Sequence, residues 1–249
     1  AYISEFHLLN FSTCVGMSYI YTTYDKSSFE NSPFDSIYYA NNAMWAPFVK
    51  FQYDNLDDPY FANHGILANL GTNFYYMPST NKYFDIIYSF QSYITPNEGQ
   101  FTIIPQLYGR YVTGIVSNAL NIQYYNLKNV CGGEIAGRHF ENQMPFIGLT
   151  SVEDISVDLT QNTSILRCDL RYNFYGKHYL TAMYNTSMPW GMLGTGGMAF
   201  TDIFKFMAHG AGLKYSYNSL LGPVSLTAHW LEYDGLSRFG AYFSFGYTF

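Results

Sequence analysis

Charge is what this sequence has least of. Asp, Glu, Lys and Arg make up 12% of its 249 residues, about half of the ~25% usual in a soluble domain. The net charge of −6 argues against a nucleic-acid partner, because such partners select basic surfaces. Cysteine is nearly absent. Cys14, Cys131 and Cys168 are far apart and odd in number, so neither a disulfide scaffold nor a metal-ligand pair is implied. No run of eighteen or more apolar residues occurs, which excludes a transmembrane helix. Helical periodicity, internal repeats and a Gly-x-Ser-x-Gly turn are missing too. Aromatics, by contrast, reach 20%, too many for a disordered chain.

The apolar residues that are present alternate. From Phe239 to Phe249, Phe239, Ala241, Phe243, Phe245, Tyr247 and Phe249 fall on one face. Gly240, Tyr242, Ser244, Gly246 and Thr248 fall on the other. Successive side chains of a strand point to opposite faces, so one face is apolar and the other mostly small or polar. The same split recurs at Leu166, Cys168, Leu170, Tyr172 and Phe174, opposed by Arg167, Asp169, Arg171 and Asn173. It recurs again at Phe84, Ile86, Tyr88 and Phe90 against Asp85, Ser89 and Gln91, and at Leu213, Tyr215 and Tyr217 against Gly212, Lys214 and Ser216.

About ten strands follow from this period-two pattern, near 13–24, 46–54, 65–77, 83–94, 100–113, 161–174, 178–187, 207–218, 223–233 and 238–249. Weaker candidates lie near 5–12 and 118–126. Strands of this length cross a bilayer at a tilt of about 45° and exceed the usual globular five or six residues. Connections alternate between short, as at 175–177 and 220–222, and long, as at 114–160 and 188–206. Short periplasmic turns and long outer loops give that asymmetry. The expected fold is therefore all-β, a transmembrane antiparallel β-barrel with about 10–12 strands visible. A soluble all-β protein with a large core is the competing reading. The barrel forms one domain over 1–249, with poorly defined first strands in 1–45. The chain begins at Ala1 without Met or a signal peptide. That start suggests either processing or a piece of a longer chain.

The terminal strand, with Phe243 and then Phe245-Gly246-Tyr247-Thr248-Phe249, resembles the sorting signal of bacterial outer-membrane barrels. Two more segments are similar to motifs of the BamA/TamA/FhaC superfamily. One is the strand–turn–strand stretch from Tyr53 through Asp57-Asp58-Pro59-Tyr60-Phe61-Ala62 to Gly65, with Ala62 where that family usually has Pro. The other is Gly132-Gly133-Glu134-Ile135-Ala136-Gly137-Arg138-His139-Phe140. It resembles the loop that folds back into the barrel with an Arg, here Arg138, at its tip. The family usually has Gly in place of His139. The hairpin from Asn218 to Pro223 fits the same family. The segment running on through Gln143-Met144-Pro145-Phe146-Ile147-Gly148, together with Gly176-Lys177-His178-Tyr179-Leu180, resembles the C-terminal barrel of bacterial patatin-like phospholipases.

The resemblance implies a location in the bacterial outer membrane. It implies contact with its lipids and lipopolysaccharide, recognition by the barrel-assembly machinery, and a homodimer or larger membrane complex by analogy. It also implies that Arg138 meets an Asp inside the lumen. Asn185 stands at that place, so Asp169 on the neighbouring strand is the next candidate, and Arg138 is expected either to find a carboxylate or to sit in water. The family barrel has sixteen strands, so this chain is either its C-terminal part or a smaller closed barrel.

Arg110, Arg167, Asp169 and Arg171 fall on inward faces, because Arg or Lys on the lipid face costs about 2–4 kcal/mol. Two readings compete: a charged lumen that holds the Arg138 loop or passes solute, and a satisfied polar network that plugs the barrel. The Gly-rich stretch Gly191, Gly194, Gly196 and Gly197 reads as an outer loop. Asp234-Gly235 reads as a hairpin turn. The histidines are scattered, so neither a metal site nor a cofactor is expected. Without a nucleophile motif, the chain is expected not to be an enzyme itself. The function expected first is an outer-membrane barrel that anchors or translocates an attached patatin-type lipase domain. The alternatives are a barrel-assembly or polypeptide-transport subunit, and a small porin or ligand-binding barrel.

Overall fold

A computed structural model of the chain describes residues 2–22, 42–76, 82–115, 130–131, 143–144, 146–148, 162–189, 204, 207–233 and 235–245. The long strands are Tyr2–Leu8 (β1), Phe11–Thr22 (β2), Asn42–Asp54 (β3), Gly65–Tyr76 (β4), Lys82–Tyr93 (β5) and Phe101–Ile115 (β6). After the short pieces Val130–Cys131 (β7) and Gln143–Met144 (β8) come Thr163–Tyr175 (β9), His178–Pro189 (β10), His209–Ser219 (β11), Gly222–Tyr233 (β12) and Leu236–Phe245 (β13).

Eleven of these strands form one antiparallel sheet in the order β1-β2-β3-β4-β5-β6-β9-β10-β11-β12-β13. The chain is an up-and-down meander. It leaves the sheet once, after β6, and returns as β9 beside the strand it left. β7 and β8 pair in parallel outside it. Among the described residues no ladder joins β1 to β13. From β2 onward the sheet strands run from 10 to 15 residues. At ~3.3 Å per residue and a tilt of about 45° they rise roughly 23–35 Å, enough to cross a hydrocarbon core.

Burial is inverted relative to a soluble domain. Among the described residues, 17 polar or charged side chains are buried against 13 apolar ones, whereas soluble interiors are filled with Ile, Val, Leu and Phe. On β9, Thr163, Ile165, Arg167, Asp169 and Arg171 are buried while Leu166, Cys168, Leu170 and Phe174 are exposed. β12 repeats this, with Ser225, Thr227 and His229 buried and Leu226 exposed. The concave side is thus a polar lumen and the convex side an apolar belt, as the alternation predicts. No described helix is long and apolar enough to cross a membrane. The crossing elements are strands.

Turn chemistry sets the two ends. One end carries the connections 9–10, 55–64, 94–100, 176–177 and 220–221. The other carries the longer 23–41, 116–162 and 190–208 together with the short 77–81 and 234–235. Near the short-turn end the outer face is aromatic. Phe101 stacks on Tyr172 at 4.5 Å, and the His178 ring lies 4.8 Å from that of Tyr217. Amphipathic rings favour that membrane–water boundary.

One boundary differs from expectation. The candidate strand 5–12 is two strands, because the chain reverses at Leu9-Asn10 with Leu9 at φ 52°. The candidate at 118–126 lies outside the described residues.

Candidate functional site

The lumen wall is built by the inward rows of β5, β6, β9, β10 and β11. Its three buried arginines are satisfied in different ways. Arg110 on β6 faces Asp85 on β5, with Nε donating to Oδ2 at 2.8 Å and Nη2 contacting the same oxygen; both residues are sealed from solvent. Asp85 also accepts from Asn73 Nδ2 at 2.7 Å. Arg167 forms a two-point fork with Asp169 on the same strand, Nε to Oδ1 at 2.8 Å and Nη2 to Oδ2 at 2.7 Å. Gln106 Nε2 donates to Asp169 Oδ2 at 2.9 Å, while its Oε1 accepts from the Tyr108 hydroxyl at 2.6 Å. A chain of charge-assisted bonds therefore joins β6 to β9, the arrangement a buried carboxylate requires.

Arg171 has no carboxylate within ion-pair distance among the described residues. Its Nη2 donates to the carbonyl of Phe61 at 3.1 Å, to that of Ala62, and to Asn63 Oδ1 at 3.2 Å. Its guanidinium also lies over the rings of Phe61 and Tyr179.

The third feature is an inserted segment. Phe146 and Ile147 are each 1% exposed, although they belong to the long connection between β6 and β9. Phe146 packs with Tyr108, Ile165, Ala208 and Leu231, a small apolar cluster inside the polar lumen. The Ile147 amide donates to Asn185 Oδ1 at 2.7 Å. The Ile147 carbonyl rests on Gly210, where a Cβ would come within 2.0 Å of that oxygen. At Gly212 a Cβ would come within 2.9 Å of the Ile147 side chain. Two glycines two residues apart on the inward face of β11 thus clear a slot for a crossing backbone, the close approach that a strand glycine permits.

Several predicted site residues are placed by this geometry. Arg110, Arg167, Asp169, Arg171 and Asn185 all face the lumen and are buried. Asp169, the next candidate partner for Arg138, is held by Arg167 and Gln106. Asn185 receives the inserted segment through the backbone of Ile147. Gly132, Gly133, Arg138 and Phe140 lie outside the described residues. On the terminal strand, Phe243 and Phe245 are exposed at 66% and 61% on the convex face; Gly246, Tyr247 and Phe249 lie outside the described residues.

Sequence reasoning did not find Asp85 as the partner of Arg110, the Gly210–Gly212 slot, or the carbonyls under Arg171. The first two had a signal: a lone carboxylate and repeated glycines on inward faces. No group of metal-ligating side chains occurs among the described residues.

The fold and lumen together define an integral β-barrel of the kind that crosses outer membranes. The whole chain, residues 1–249, matches the OMP85 superfamily, and the protein belongs to it. Among solved structures, it is similar to BamA from Haemophilus ducreyi, crystallised without POTRA domains 1–3, at 17% identity and a TM-score of 0.63. The match covers 94% of this chain and 50% of that one, so the chain spans about half the length of that structure. At this identity the likeness speaks for the fold. No curated protein matches the chain.

Proposed function

We propose that the chain is a bacterial outer-membrane barrel that handles polypeptide, anchoring or translocating an attached domain, and is neither an open solute pore nor an enzyme. The observation that carries this reading is the lodging of Phe146 and Ile147 on Asn185, Gly210 and Gly212. A pore evolved for free solute keeps its lumen open. Here a segment of the chain's own backbone and a forked ion-pair network occupy part of it. A planar-bilayer recording of the folded protein separates the two. Near-silence supports the proposal, and a steady ohmic conductance supports a porin.

The attached domain we infer is a patatin-type lipase. Support comes from the resemblance at 132–148 and 176–180. The intact mass of the protein from its native membrane tests it. A mass two or three times 28.5 kDa, with Gly-x-Ser-x-Gly upstream, supports the lipase reading. A native chain of 28.5 kDa removes it.

The assembly-subunit reading keeps one favouring observation. β13 pairs only with β12 among the described residues, and a free strand edge offers backbone groups for strand addition. Crosslinking from β13 to client barrels would select that reading. In either case the exposed Phe243 and Phe245 suit recognition by assembly machinery. The convex belt suits phospholipid and lipopolysaccharide, and a homodimer or larger complex fits family analogy.

A further inference from the structure

We propose that residues 55–64, the connection between β3 and β4, form a strap latched across the short-turn mouth of the lumen, with Arg171 as the latch. In the sheet, β5 and β6 separate β4 from β9. Yet Arg171 on β9 bonds the backbone of Phe61 and Ala62, and the Phe61 ring stacks on Tyr179 of β10 at 4.1 Å and 9°. The connection therefore does not turn back over its own hairpin. It reaches across the lumen to the far wall.

The strap is held in shape by its own hydrogen bonds. Asp58 Oδ1 accepts from the amides of Tyr60 and Phe61 at 2.8 and 2.7 Å. Asp57 Oδ1 accepts from Asn63 and His64 at 2.8 and 3.2 Å, and Asn55 Oδ1 from Ile66 at 2.6 Å. These side-chain caps hold the turn together from within. It can thus swing as a unit, keeping its own hydrogen bonds.

The latch is of a releasable kind. Arg171 is compensated by carbonyls and rings, so lifting the strap strands no buried carboxylate, and water can replace the carbonyls at the guanidinium. Thr95 Oγ1 adds a bond to the Asn63 carbonyl at 2.9 Å. Behind the strap lies a cavity of about 440 Å³, walled by Leu56, Tyr60 and Phe61 of the strap and by Gln106, Asp169 and Ser216 of the lumen. A strap that opens would expose this chamber to the short-turn side without moving the segment lodged at Asn185.

A buried reporter in the chamber tests this. Ser216 is 1% exposed and pairs in register with Tyr179, directly under the strap. The full chain, with Cys14, Cys131 and Cys168 changed to Ser, would carry Ser216→Cys, or Lys177→Cys as the exposed control. Each protein is refolded in detergent micelles, with folding checked by a heat-dependent gel shift, and labelled with a water-soluble maleimide. We expect Ser216→Cys to react about 10- to 1,000-fold more slowly than Lys177→Cys, the range set by an open state populated at roughly 0.1–10%. Adding Arg171→Gln should raise its rate at least about tenfold, as should Phe61→Ala. Should Arg171→Gln block folding, Phe61→Ala decides. Equal rates for the two reporters would overturn the proposal without any strap variant. So would a slow Ser216→Cys rate that the folded strap variants leave unchanged.

Discussion

The Asp85–Arg110 pair offers the sharpest test of a structured lumen wall. Both side chains are sealed, at 0% and 1% exposure. Breaking such a pair by removing one partner costs about 3–5 kcal/mol, because a buried charge loses its counter-charge. Asp85→Asn preserves shape and removes the negative charge that Arg110 faces across β5 and β6. Arg110→Met leaves Asp85 with Asn73 Nδ2 at 2.7 Å. Each single change should therefore lower the folding equilibrium constant by about 150- to 5,000-fold, at tenfold per ~1.4 kcal/mol. In the double variant no buried charge is stranded, so it should cost under about 2 kcal/mol, far less than the sum. The assay is guanidinium unfolding in lipid vesicles, followed by tryptophan fluorescence, where unfolding and refolding curves overlay. Single variants costing less than about 1 kcal/mol, the value of a solvated pair, would refute the reasoning. So would a double variant whose cost equals the sum.

Three further outcomes follow from other parts of the molecule. Leu170→Arg and Leu213→Arg, on convex positions 46% and 51% exposed, should each destabilise the vesicle-embedded barrel by about 2–4 kcal/mol. On a water-facing sheet the same changes would stay within about 0.5 kcal/mol, so unfolding titrations distinguish the two environments. Gly210→Val should expel the 146–148 segment, since even a Cβ there meets the Ile147 carbonyl at 2.0 Å; limited proteolysis near Ile147 should accelerate while the barrel stays folded. Asn185→Leu leaves the buried Ile147 amide without its acceptor and should cost about 1–3 kcal/mol. Asn185→Asp keeps an acceptor oxygen in place, so the segment should stay protected from protease in that variant.

The sheet was legible because two rules coincide in a membrane barrel. Strand side chains alternate, and charge is costly on the lipid face, so Arg167, Asp169 and Arg171 had to share the inner side of β9. What charge neutralises them was not legible. Asp169 could have served Arg138, Arg171 or Arg167. The outcome depends on the β6–β9 register, which sets Gln106 opposite Arg167, and local sequence does not encode that register. The first hairpin was misread for a related reason. Leu9-Asn10 carries neither Gly nor Pro, and Asn10 and a one-residue phase shift in the alternation between Leu8 and Phe11 are the only marks of the reversal. It rests on Leu9 adopting φ 52°, a conformation leucine seldom takes. The bond from Arg171 to Phe61 spans 110 residues, beyond the reach of any spacing argument.

The three buried arginines among the described residues divide the interior into parts of different permanence. Arg110 and Arg167 are held by carboxylates from the wall itself, Asp85 and Asp169. Separating either pair parts opposite charges in a low-dielectric space, so those contacts persist as long as the barrel does. Arg171 and Asn185 instead hold pieces of connecting chain through backbone groups, Phe61 and Ala62 in one case and Ile147 in the other. A backbone carbonyl or amide that leaves such a partner can be met by water at no cost in unpaired charge. The rigid wall and the docked segments therefore differ in kind, and this difference is what the polypeptide-handling role proposed above requires of a lumen that holds docked segments. If the lumen must ever be cleared, these two backbone-held contacts are the ones that can give way while the ion-paired wall stays intact.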